Sequence, residues 1–72
     1  MKAVIVIPTY NERENIEKLI PVLVSILEAE FSGEFEVLVV DGNSPDGTGE
    51  VVQSFSEQYK NVHLLLEPEK RG

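Results

Sequence analysis

The chain has 72 residues, 42% hydrophobic and 26% charged, the size and balance of one ordinary folding unit or part of one. Its formal net charge of -7, from 13 acidic against 6 basic side chains, disfavours nucleic acid, whose phosphates need a basic face; a nucleotide ligand would need a divalent cation or outside basic residues to balance it. The absence of cysteine excludes disulfides, thiolate catalysis and Cys-rich zinc sites, and no segment approaches the roughly 18 apolar residues of a membrane span.

Lys2 to Ile7 is a continuous, β-branched apolar run, the pattern of a strand covered on both faces in a parallel sheet. Pro8 cannot donate to a ladder, so pairing is expected to end there. Asn11 is placed to cap a helix, with Glu14 three residues on in the capping-box position. Ile16, Leu19, Ile20, Leu23 and Leu27 then recur at helical spacing and define the stripe that faces the sheet. Pro21 interrupts this stripe and predicts a kink or a restart, because proline removes a hydrogen bond and clashes one turn back.

Phe31-Ser32-Gly33-Glu34 closes the helix, and Phe35 to Val40 is again strand-like. The next loop is punctuated by Gly42, Pro45, Gly47 and Gly49. A second helix is expected from near Thr48 to Tyr59, with Val51, Val52, Phe55 and Tyr59 inward and Thr48 or Asp46 as its cap. Val62 to Leu66 supplies a third strand, and Glu67-Pro68-Glu69-Lys70-Arg71-Gly72 leaves it as a charged, solvated loop. The fold class is therefore α/β, a β-α-β-α-β unit with a mostly parallel three-stranded sheet and two helices.

Right-handed crossovers advancing in one direction put both helices on the same face of the sheet, leaving the other face and one edge of the first strand bare. Such exposure is unusual in a finished monomer, so residues 1–72 read as the front half of a larger domain, able to self-associate through the exposed edge. In a parallel sheet the carboxyl ends of the strands share one rim, and loops far apart in sequence meet there in a crevice. That rim is where function is expected.

Two loops leave strands toward it: Pro8-Thr9-Tyr10-Asn11-Glu12-Arg13-Glu14-Asn15 and Asp41-Gly42-Asn43-Ser44-Pro45-Asp46-Gly47-Thr48. The pair resembles the start of the family 2 inverting glycosyltransferases, with the nearest likeness to the dolichol-phosphate (polyprenol-phosphate) mannosyltransferases. The likeness covers essentially the whole chain and implies the nucleotide-binding half of a GT-A (Rossmann-like) fold. It puts Pro8, Tyr10 and Glu12 near the base and ribose of a nucleotide sugar, and it carries Val40 and Asp41 over from the second loop. An aromatic ring offers a stacking face and a carboxylate accepts hydrogen bonds from hydroxyls, so the residue types suit that task.

The resemblance further implies GDP-mannose as the favoured donor, a polyprenyl phosphate acceptor, direct displacement with inversion, and a Mg or Mn ion held by an Asp-x-Asp motif that this sequence lacks. No catalytic residue and no metal ligand are assigned within the chain, which alone is expected to be inactive. The longer enzyme would lie in the cytoplasm, at the cytoplasmic face of a membrane. One departure stands out: the second loop of the family usually begins with two acidic residues, whereas here Asp41 precedes Gly42, which admits close backbone approach instead.

Structural readings compete at each position. Tyr10 could be packing and Glu12 a carboxylate favoured by the helix dipole, while Asp41 could organise the turn after its strand. Asn43 to Gly47 are turn formers first. An EF-hand fails because Pro45, Asp46 and Val52 stand at its fifth, sixth and twelfth positions, and neither a dinucleotide fingerprint nor a P-loop fits the Pro-Thr-Tyr-Asn-Glu turn. A phospho-receiver would want acidic residues after the first strand. His63 reads as a sheet-face histidine. The alternative class is a half-domain without turnover, a weak nucleotide binder or an assembly partner.

Overall fold

A computed structural model describes residues 2–67. The elements alternate as β1 (Ala3–Thr9), α1 (Arg13–Phe31), β2 (Phe35–Asp41), α2 (Thr48–Gln58) and β3 (Val62–Leu66). The sheet is parallel throughout in the order β1-β2-β3, with Ala3 opposite Phe35, Thr9 opposite Asp41, and Asp41 opposite Leu66. All three strands thus end at one level.

Side chains alternate across a strand, so Phe35, Val37 and Val39 point to one face, where they are buried under Ile16, Ile20 and Leu27 of α1 and Val52 of α2. Val62 completes this core from β3. Both helices lie on that face, as the crossover rule requires. On the other face Val4, Val6 and Leu65 are each more than half exposed, accompanied by Lys2, Glu36 and His63. Glu36 pairs with Lys2 at 3.2 Å and accepts a hydrogen bond from His63, and the two contacts, His63 first, hold its carboxyl below the ordinary value. His63 is therefore a sheet-face residue in an exposed polar cluster.

Four expectations need correction. Pro8 does not end β1; it lies within the strand, opposite Val40. The Ala3 amide donates to Glu34 and the Thr9 carbonyl accepts from Gly42, so odd-numbered residues bond toward β2 and the Pro8 nitrogen faces the outer edge, where no described strand needs a donor. Asn11 is not the cap of α1. It takes a left-handed turn at φ 55, which asparagine tolerates, and Glu12 in the capping position makes no side-chain cap.

Pro21 neither ends nor restarts the helix, which is assigned without interruption over 19 residues. It forfeits one backbone bond inside a helix held by packing. Leu19 leaves the inward stripe: at 42% exposure it sits with Val22 and Ile26 on the outer side, while Ile16, Ile20 and Leu27 form the buried line. A helix turns about 100° per residue, so the arc that meets the sheet is narrower than the apolar run.

The rest follows the sequence. Ser32 ends α1 in the left-handed region with its amide on the Glu28 carbonyl at 2.9 Å, and Gly33 follows at φ 85. Asn61 ties the base of the sheet, its side-chain amide donating to the carbonyls of Gly33 at 3.2 Å and Phe35 at 2.6 Å. The expected charged tail, with Lys70 and Arg71, falls outside the described residues apart from Glu67.

Candidate functional site

Because Thr9 and Asp41 are register partners, the two loops leave the sheet side by side. The Thr9 hydroxyl donates to Asp41 Oδ1 at 2.8 Å across this pair. Asp41 has no exposed surface, and Ser44 wraps it further, its amide donating to Oδ2 at 2.9 Å and its hydroxyl to Oδ1 at 2.7 Å. Burial by itself would raise the Asp41 pKa; the bonds from Ser44 and Thr9 outweigh it, and the carboxyl lies below its ordinary value.

The second loop also terminates both helices. Gly47 holds the cap position of α2 and makes no side-chain cap; Asp46, one residue before it, accepts at Oδ1 from the first-turn Thr48 amide at 3.0 Å and at Oδ2 from the first-turn Arg13 amide of α1 at 3.2 Å. The Arg13 guanidinium donates back to the Asp46 carbonyl at 3.2 Å. One carboxylate thus sits at two helix amino ends, where dipole and amides favour negative charge. The Thr48 hydroxyl is the main cause that lowers the Asp46 pKa; partial burial opposes it, and the Arg13 and Thr48 amides and the Arg13 charge reinforce it.

The sign of the pH dependence follows. Both aspartates have depressed folded-state values, so their stabilisation is complete above the unfolded value of about 3.9 and disappears as the pH falls through the folded values. Stability measured by urea denaturation is expected to be flat from pH 7 to about 4.5 and to drop below about pH 4, and Asp46→Asn should flatten that drop. An acid limb of equal depth in Asp46→Asn would contradict that role at the helix ends.

A cleft of about 410 Å³ opens between this loop, the first turns of α2 and the end of β3, lined by Asp41, Asn43, Ser44, Pro45, Glu50, Gln53, Leu64 and Leu66 among others. Of the residues singled out from sequence, Asp41 alone lines it. Glu12 lies in a neighbouring hollow of about 280 Å³ with Asn11, Arg13 and Asp46, its carboxylate accepting from the Asn15 side chain at 3.1 Å. Tyr10 is 41% exposed and its ring stands beside Gly42, where an added Cβ would come within 3.3 Å of Cδ1. The close approach that glycine allows at position 42 is thus to this ring.

Pro8 and Val40 are paired one step below, on the side of the sheet away from the helices. Thr9, Ser44, Thr48, Glu50 and Gln53 were not singled out as site residues. Thr9 could have been found only from the register. Among the described residues no group of three His, Asp or Glu side chains could hold a metal ion, and the oxygens of Asp41 and Asp46 are taken by protein donors.

A three-stranded parallel sheet with both helices on one face and two fused loops at its carboxyl rim is the amino-terminal half of a GT-A, Rossmann-like fold. The chain belongs to glycosyl transferase family 2, whose sequence model matches residues 4–72. It is 43% identical over 68 residues to glycosyltransferase AglE of Haloferax volcanii, covering 94% of this chain and 22% of that protein. It is 44% identical over 72 residues to the dolichol-phosphate mannosyltransferase of Pyrococcus furiosus, covering 100% of this chain and 19% of that one. Among solved structures it resembles the mannosyltransferase PcManGT of Pyrobaculum calidifontis in complex with GDP-Man and Mn2+, with a TM-score of 0.71 and 36% identity over 99% of this chain and 21% of that one. The chain therefore spans about a fifth of the length of these relatives.

Proposed function

We propose that residues 1–72 form the donor side of a glycosyltransferase that moves a hexose, mannose favoured, from a nucleotide sugar, GDP-mannose favoured, to a polyprenyl (dolichyl) phosphate with inversion. The observation that carries this reading is the junction of the two loops at the carboxyl rim, where Asp41 and Glu12 line neighbouring hollows and the Tyr10 ring stands beside Gly42. The names of the Pyrococcus and Pyrobaculum relatives support mannose and GDP-mannose, and the Mn2+ of the latter supports a divalent cation. In this reading a Mg or Mn ion held by residues outside these 72 would supply the charge that offsets the leaving diphosphate. The longer protein acts at the cytoplasmic face of a membrane; no described helix is long and apolar enough to cross one.

What these residues contribute is recognition. The Tyr10 ring offers a stacking face beside Gly42, and the Glu12 carboxylate offers acceptors to ribose hydroxyls or base N–H groups. Pro8 and Val40 pair one step below the rim, on the sheet face away from the helices. A single lost stack or hydrogen bond is worth about 1–2 kcal/mol, so Tyr10→Ala or Glu12→Ala should each weaken GDP-mannose binding about tenfold by calorimetry with Mn2+. Unchanged affinity in both variants would remove the first loop from the site.

The exposed Val4, Val6 and Leu65 favour a second reading, an assembly partner or weak nucleotide binder without turnover. Transfer of labelled mannose by the purified 72-residue chain is expected to be absent under either reading. Calorimetry separates them, because the donor-site reading alone requires GDP-mannose affinity that depends on Tyr10 and Glu12.

A further inference from the structure

The first loop is tied to the second through its backbone. Three consecutive amides at its exit, those of Asn11, Glu12 and Arg13, donate to side chains of the second loop that lie more than thirty residues away: Ser44 Oγ at 2.9 Å, Thr48 Oγ1 at 3.1 Å and Asp46 Oδ2 at 3.2 Å. Two of these acceptors are hydroxyls that pass the bond on. Ser44 accepts from Asn11 and donates to Asp41, while Thr48 accepts from Glu12 and donates to Asp46. A hydroxyl has one proton to give and lone pairs to receive, so each relay fixes the direction of both its bonds and polarises them together.

The relays begin at different depths. Thr48 is wholly buried, whereas the Asn11–Ser44 bond is exposed. Both start within two residues of Tyr10 and end on the second loop's aspartates, and Gly49 packs against Asp41 closely enough that a Cβ there would lie 3.4 Å from Oδ2. The whole rim is one hydrogen-bonded body. Loss of a relay would remove one tie from the Asn11–Glu12 segment and one bond from Asp41 or Asp46.

We infer that Ser44 and Thr48 are positioning residues for the donor nucleotide, acting through the first-loop amides to set Tyr10 and Glu12 against Asp41. This rests on the donor-site reading above and adds residues that need not touch the ligand. It assigns the Ser-x-x-x-Thr spacing of the second loop a task in the first.

The test uses Ser44→Ala and Thr48→Val, which delete the relays at nearly constant volume, with Thr48→Ser as the restoring variant. Amide hydrogen exchange read by NMR should speed up about tenfold or more at Asn11 in Ser44→Ala and at Glu12 in Thr48→Val, while the amides of β2 keep their protection. Calorimetry with GDP-mannose and Mn2+ should show affinity falling about fivefold to twentyfold in Ser44→Ala and Thr48→Val and returning to within about twofold in Thr48→Ser. Unaltered exchange at Asn11 and Glu12 overturns the relays. Faster exchange with unaltered affinity overturns the positioning role. Wild-type protein that leaves GDP-mannose unbound overturns the donor-site reading instead, and the exchange rates in the ligand-free chain still decide the relays.

Discussion

Asp41→Ala is expected to lower the free energy of unfolding by about 2–4 kcal/mol. The carboxylate is wholly buried and accepts from the Thr9 hydroxyl, the Ser44 amide and the Ser44 hydroxyl. Truncation strands those donors, and each buried unsatisfied group costs about 1–3 kcal/mol in the worst case. Asp41→Asn is the sharper probe. Its amide oxygen can still receive the two hydroxyls, but its NH2 group then faces the Ser44 N–H, donor against donor. Urea denaturation should place Asn between wild type and Ala. A loss below about 0.5 kcal/mol in Asp41→Ala would mean that the loop is not organised around this carboxylate.

Phe35→Ala should cost more, about 3–5 kcal/mol, because Phe35 is the largest side chain with essentially no exposure and its removal leaves a cavity under α1. Small domains hold only about 0.05–0.15 kcal/mol per residue, so this variant is expected to lose a large part of its stability, seen as a much lower urea midpoint by circular dichroism. Phe35→Leu, which keeps most of the volume, should cost about 1–1.5 kcal/mol and remain folded. Phe35 opens β2 at the end opposite the rim, so Phe35→Leu should bind GDP-mannose as wild type does. The contrast with Asp41 separates weight-bearing from recognition: both positions stabilise, and only the rim position should alter affinity. Equal loss of affinity in Phe35→Leu would contradict that separation.

The strands were legible because burial on a parallel sheet demands what the sequence displays, β-branched runs closed by turn residues. Val62–Leu66 was readable to the residue, and the end of α1 at Ser32-Gly33 was readable from turn chemistry. What escaped was set by neighbours in space. Whether a proline ends a strand depends on which edge its nitrogen faces, and nothing local to Pro8 records that β1 is outermost. Likewise Asn11 carries a good capping side chain, but the α1 amides are met first by Ser44, Thr48 and Asp46 of the second loop. Leu19 has the spacing of a core residue and lies outside the arc that the sheet covers.

The rim itself was half legible. That two distant loops would meet followed from parallel pairing alone, whereas the pairing of Thr9 with Asp41 needed the register. Asp41 was read both as a ligand contact and as an organiser of its own turn. The geometry gives it the second task in full, with a place on the cleft wall besides. Gly42 illustrates the limit of reading a motif by substitution: the missing carboxylate is visible in sequence, but the ring that occupies its neighbourhood is not.

The outward nitrogen of Pro8 has one further effect. Along the uncovered side of β1 the backbone offers N–H groups at Val4 and Val6 and none at Pro8, one residue short of the level of Asp41. Any polypeptide zipping onto that flank, whether from the same chain or another, loses its donor there and must peel away before the top of the sheet. The strand therefore carries its own stop mark, which ends lateral pairing one residue short of the carboxyl rim.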